Sequence, residues 1–171
     1  ASDVYKRQAN VAQVSAGGVG TDAASGEAYT IKLAHESGLT LGGGNMKVGN
    51  TAARVGESAA TGYAKYSNGG LTVGYQEFYY NAPSEGADTD GDGMAIAYTA
   101  GDVTISYSVM TEQTNAHGAT AALEEEEISA FQAAYTMGGM TLAASMYETD
   151  NTEGVAGNKY EETELSVSFA F

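Results

Sequence analysis

The feature that most constrains this chain is an alternation of apolar and polar residues with a period of two, repeated along almost its whole length. Successive side chains of a strand point to opposite faces, so such alternation marks a sheet with one apolar face. Tyr29, Ile31 and Leu33 alternate with Thr30, Lys32 and Ala34, and Leu71, Val73 and Tyr75 with Thr72, Gly74 and Gln76. Val103, Ile105, Tyr107 and Val109 alternate with Thr104, Ser106, Ser108 and Met110. Weaker runs fall at Met94-Ile96-Tyr98, at Phe131-Ala133-Tyr135-Met137 and at Met140-Leu142-Ala144-Met146. The pattern predicts an all-β antiparallel meander of about nine strands. These lie near residues 28–36, 39–48, 59–67, 70–80, 93–100, 102–112, 127–137, 140–149 and 161–171.

The links between these runs alternate in size. Short ones at Ser37-Gly38, Ser67-Asn68-Gly69-Gly70, Ala100-Gly101-Asp102 and Met137-Gly138-Gly139-Met140 supply the glycines that tight hairpins need for positive φ. Long ones near 49–58, 81–92, 113–126 and 150–160 are polar and acidic. Short turns at one end and long loops at the other are the arrangement of outer-membrane barrels, and strands of about 8–11 residues suit a tilted crossing of a bilayer. Tyr66, Tyr79, Tyr80, Tyr98, Tyr147 and Tyr160 collect toward strand ends, where interfacial girdles use amphipathic rings.

Composition narrows the function classes. With 22 acidic against 7 basic residues the formal charge is −15, which argues against nucleic-acid partners and against docking on anionic lipid. Cysteine is absent, so disulfides and thiolate metal sites are excluded. No apolar run reaches the ~18–20 residues of a membrane helix. Two histidines far apart, His35 and His117, leave little room for a catalytic triad, and no metalloprotease, nucleophile-elbow or phosphate-loop motif occurs. The chain is therefore expected not to be an enzyme.

Residues 1–8 read ASDVYKRQ, and DVYKRQ is the translation of a transposon-end adapter. The segment is read as adapter-derived or as a disordered basic arm and is left out of fold reasoning. Residues 9–171 are taken as one barrel domain.

The last strand is the most specific signal. Leu165, Val167, Phe169 and the final Phe171 share one face of ELSVSFAF. That string resembles the C-terminal assembly signal of bacterial outer-membrane proteins. With hairpins such as AAYTMGGMTLAASMYE and the acidic loops, the chain resembles Gram-negative general porins of the alphaproteobacterial type. The resemblance implies a location in the cell outer membrane and a water-filled channel for passive diffusion of small hydrophilic solutes and ions. It also implies recognition by the barrel-assembly machinery, contact with lipid and lipopolysaccharide, and a homotrimeric parent of about sixteen strands per barrel. Nine strands is odd, and closing them would pair two parallel strands. The chain is therefore expected to be an open C-terminal portion whose constriction loop lies upstream.

On this register the pore-lining face carries Lys32, Lys65, Thr72, Gln76, Thr104, Ser106, Ser145 and Ser166, with a lean toward cations. The segment Asp88-Thr89-Asp90-Gly91-Asp92-Gly93 matches the start of a calcium loop, but position twelve is Thr99 rather than glutamate. This excludes a complete EF-hand. It leaves a solvated acidic loop, with a loose calcium site at Asp88, Asp90 and Asp92 as the lesser reading; no other cofactor is expected. The competing function is a non-transport barrel, an adhesin or structural protein acting through its acidic external loops.

Overall fold

A computed structural model of the chain describes residues 5–14, 26–48, 56–83, 86–116 and 123–170. The strands are β1 (Tyr5–Val14), β2 (Gly26–His35), β3 (Leu39–Val48), β4 (Ser58–Asn68) and β5 (Leu71–Asn81). They continue with β6 (Ala87–Ala100), β7 (Val103–Ala116), β8 (Glu126–Met137), β9 (Met140–Asp150) and β10 (Lys159–Phe169). One short 3-10 turn, Thr152–Gly154, interrupts the loop before β10. All ten strands form a single antiparallel sheet in sequence order. Among the described residues no ladder joins β10 to β1, so the sheet is open, as a portion of a barrel wall would be.

Alternation predicted nine of these strands; the tenth is β1. Its first half falls in the segment set aside as adapter-derived or disordered, yet Tyr5–Gln8 pair with Lys32–His35. With ten strands the two edges run antiparallel, so the parity argument against closure no longer applies. The openness rests on the unpaired edges alone. The link expected over 81–92 is also shorter, because β6 begins at Ala87. Similarly, β7 runs to Ala116 through residues expected in a loop.

The short turns carry positive φ at Gly38 (93°), Gly69 (56°), Gly70 (87°), Gly101 (58°) and Gly138 (59°). Each turn is also tied to the next hairpin. Ser67 N donates to Gly38 O (3.1 Å), Thr99 N to Gly70 O (3.0 Å), Thr136 N to Asp102 O (2.9 Å) and Ala170 N to Gly139 O (2.7 Å). This repeated contact fixes a step. Leu39 faces Tyr66 while β4 runs on to Asn68, and Leu71 faces Tyr98 while β6 runs on to Ala100. Likewise Val103 faces Tyr135 while β8 runs on to Met137. Every hairpin thus ends two residues below its predecessor, about one residue per strand. With a rise of about 3.4 Å and a strand spacing of about 4.8 Å, that offset corresponds to a tilt of about 35°. Barrels that cross membranes tilt their strands by about 35–45°.

The register sorts the side chains into two faces. One carries Ile31, Leu41, Val73, Ile96, Ile105, Phe131, Leu142 and Val167 in a continuous apolar band across β2 to β10. Its large residues are 37–71 % exposed where they stand out, from Tyr66 to Leu165. Among the described residues Ala82 alone is buried. Among the described residues no second layer covers the band, and they form no hydrophobic core beneath it. Toward the long loops the same face turns polar with Glu77, Asp92, Asp90, Glu127, Glu148 and Asp150.

Candidate pore-lining face

The opposite face is built by the alternate residues of the same strands, and it collects the hydroxyls. At the foot of three hairpins a hydroxyl pair straddles the turn: Ser67 with Thr72 (3.0 Å), Thr99 with Thr104 (3.0 Å) and Thr136 with Thr141 (3.1 Å). Each such bond satisfies part of a hydroxyl's capacity and leaves the rest for water. Higher on the wall, Gln76 Nε2 donates to Thr61 Oγ1 (2.9 Å), Thr61 Oγ1 donates to the Glu77 carbonyl (2.9 Å) and Gln132 Nε2 donates to the Tyr147 hydroxyl (2.9 Å).

All eight expected lining residues fall on this face. Thr72, Ser106 and Ser145 lie in one cross-strand row, Ser67–Thr72–Ala97–Ser106–Gln132–Ser145–Glu164. Thr104 and Ser166 lie in the row below, through Ala134 and Ala143. Lys32 and Gln76 share a row through Gly42 and Tyr63, and Lys65 stands between Thr40 and Gly74.

Charge on this face is segregated. Lys32 and Lys65 sit on β2 and β4, with no carboxylate on the same face of β2 to β5. Glu112, Glu126, Glu162 and Glu164 sit on β7, β8 and β10. From Lys65 on β4 to Glu112 on β7, the nearest pair, is about 14 Å across the strands at about 4.8 Å per strand, and to β10 about 29 Å. Both exceed the ~8 Å Debye length, so the two groups do not pair and each sets its own local potential.

Two expectations need correction. Asp88, Asp90 and Asp92 do not form a loop but a stretch of β6 paired with Thr111–Asn115. Asp92 Oδ1 accepts from Thr111 Oγ1 (3.0 Å), Asp90 Oδ1 from Asn115 Nδ2 (3.3 Å) and Asp88 Oδ1 from Ala82 N (2.8 Å). Same-face residues of a strand stand about 7 Å apart, so the three carboxylates cannot converge on an ion that wants ligands at about 2.4 Å. Among the described residues no group of three acids or histidines is arranged to hold a metal. The tyrosines also divide between the faces. Tyr66, Tyr79 and Tyr98 belong to the apolar face, whereas Tyr80, Tyr147 and Tyr160 belong to the hydroxyl face. The regular girdle is Tyr66, Tyr98 and Tyr135, each two residues before its strand ends above a short turn.

Leu165, Val167 and Phe169 line the apolar face of β10, the last strand of the sheet, and are 71 %, 51 % and 60 % exposed. Phe171 lies outside the described residues. Sequence reasoning missed the apolar side chains on the hydroxyl face, above all Tyr63 and Phe78. Their signal was available, since each falls on the polar phase of an alternating strand. The long-loop end is ordered around the 3-10 turn: Asn151 Nδ2 donates to Glu125 O (2.9 Å), Gln113 Nε2 to Leu123 O (2.8 Å) and Glu153 N to Glu126 Oε2 (2.8 Å). Compared with known protein families and with curated proteins, the chain matches none.

Proposed function

We propose that this chain forms part of the wall of an outer-membrane diffusion channel, with the apolar face against lipid and the hydroxyl face toward water. The observation that carries the reading is the uncovered apolar band on a single-layer sheet backed by hydroxyls, amides and charges. Apolar patches much beyond a few hundred Å² on a soluble monomer mark an interaction surface, and a band crossing nine strands needs a correspondingly extensive apolar partner, which lipid supplies. The stepped hairpins and the tyrosine row above the turns support the same orientation, with the short turns periplasmic.

Unpaired backbone in lipid costs several kcal/mol per group, so the two free edges are completed in the membrane by further strands. A wall of about sixteen strands at this tilt and spacing has a radius of about 15 Å, wide enough to keep an aqueous lumen. Small hydrophilic solutes and ions are the cargo that hydroxyls and scattered charges suit. The rest of the reading follows the porin resemblance: a homotrimer, lipopolysaccharide around it, and β10 presented to the barrel-assembly machinery.

Planar-bilayer conductance of the detergent-refolded closed barrel, this chain together with the strands that complete its edges, tests the proposal. Discrete conducting steps support it; a folded, inserted protein that conducts nothing refutes it. The ordered acidic loop end favours one second reading, a non-transport barrel that acts through that surface. A non-conducting barrel whose surface binding is lost on replacing Glu125 and Glu153 is the outcome that reading requires.

A further inference from the structure

On the face where hydroxyls predominate, neighbouring strands β4 and β5 carry two aromatic rings that splay apart. Tyr63 lies over Gly42 of β3, where an added Cβ would collide with its Cζ, Cε1 and hydroxyl oxygen. Phe78 lies over Gly91 of β6, where an added Cβ would stand 2.7 Å from its Cζ. Each ring is thus laid along the wall, with glycine beneath it. Between the rings, Gln76 pairs across the ladder with Tyr63 and Thr61 with Phe78, and Gln76 Nε2 donates to Thr61 Oγ1 (2.9 Å). That bond leaves the Gln76 carbonyl oxygen and its second N–H for another partner. Lys65 stands two residues from Tyr63 on the same face, and Lys32 pairs with Gly42 under the ring. The neighbouring hollow, lined by Tyr63, Lys65, Gln76, Phe78 and Met110, encloses about 460 Å³.

Covering a glycine accounts for where each ring sits. It does not account for an amide–hydroxyl pair held between the rings, nor for the lysines beside them. On β2 to β10, Lys32 and Lys65 are the cations of this face. We infer that the patch is a binding subsite for an acidic saccharide, a sugar ring bearing a carboxylate. The C–H face of a pyranose is apolar and stacks on a flat aromatic ring as other planar apolar faces do. Its rim of hydroxyls both donates and accepts, which matches the free amide of Gln76 and the Tyr63 hydroxyl. Its carboxylate meets the two ammonium groups on a wall segment without competing acids, at a loose and exchangeable distance suited to a solute in transit.

The inference rests on the channel reading only in that this face meets water, and its test does not use conductance. Calorimetric titration of the micelle-refolded protein with trigalacturonate, and with neutral maltotriose, reads binding directly. Trigalacturonate is expected to bind at least about tenfold more tightly than maltotriose. The pair Tyr63→Leu and Phe78→Leu keeps an apolar cover on Gly42 and Gly91 but removes the flat faces, and is expected to weaken binding at least about tenfold. Lys32→Gln with Lys65→Gln is expected to abolish the preference for the charged sugar and the salt dependence of binding. Tyr107→Ala, on the opposite face of β7 and outside the hollow, is expected to leave binding unchanged. Equal affinity for the two sugars, no binding, or undiminished binding in the leucine pair overturns the subsite. Lost conductance with binding intact overturns the channel alone.

Discussion

The proposed division of the sheet into a lipid face and a water face makes a quantitative demand on adjacent residues of β7. At a tilt of about 35°, each residue advances about 2.8 Å along the membrane normal, so an apolar band about 25 Å tall spans about nine residues. The apolar run Val103–Val109 is centred at Ser106. Ile105 therefore lies about 3 Å from the midplane on the lipid side, and Thr111 about 14 Å from it on the same side. Arginine on the lipid face costs about 2–4 kcal/mol at the midplane and about 0–1 kcal/mol near the interface. Ile105→Arg is expected to destabilise the inserted protein by about 2–4 kcal/mol and Thr111→Arg by less than about 1 kcal/mol. Ser106→Arg, one position along and on the hydroxyl face, should cost no more than about 0.5 kcal/mol. At about 1.4 kcal/mol per tenfold, a 3 kcal/mol penalty is more than a hundredfold in the folding equilibrium. Reversible guanidinium unfolding in phospholipid vesicles measures all three. Equal penalties at Ile105 and Ser106 would show that lipid does not distinguish the faces, and equal penalties at Ile105 and Thr111 would remove the depth assignment.

Three further outcomes follow from the same geometry. Gly70→Ala places a Cβ against the Thr99 carbonyl at a φ of 87° and should cost about 1–3 kcal/mol. Gly69→Ala, at 56° with nothing nearby, should cost about 1 kcal/mol, the two being compared by the same unfolding assay. Lys65→Glu should shift the reversal potential in a salt gradient toward cations and Glu164→Lys toward anions; no shift in either would take this face out of the conducting path. Replacing Val167 and Phe169 together by serine should lower the fraction of heat-modifiable, assembled protein in the outer membrane of expressing cells, and full assembly would remove the terminal strand as a signal.

The strands were legible wherever lipid-type apolar residues mark one phase of the alternation. Where that band ends, the ladder continues but the signal stops. The early part of β6 carries Asp88, Asp90 and Asp92 on that same phase, and the far end of β7 answers with Thr111, Gln113 and Asn115. Main-chain hydrogen bonds hold these residues in register whatever their side chains, so a strand there reads as an acidic loop. The faces of Lys32, Thr72, Ser106 and Ser166 were legible because phase alone decides them. The same phase gave the faces of Tyr63 and Phe78, but not that each ring lies over Gly42 or Gly91 on another strand, because no single strand's pattern contains that pairing. The missed β1 has a different cause: its sequence lacks a clear alternation, and four of its ten residues lie in the adapter-like segment.

The two-residue step between hairpins has a consequence for how such a wall can vary. Because every hairpin hands the same offset to the next through one turn contact, adding or removing a hairpin changes the girth and leaves the slant alone. Each unit behaves like one stave cut to a common bevel. A lineage building the proposed channel can therefore widen or narrow it by whole hairpins without recutting the staves already in place.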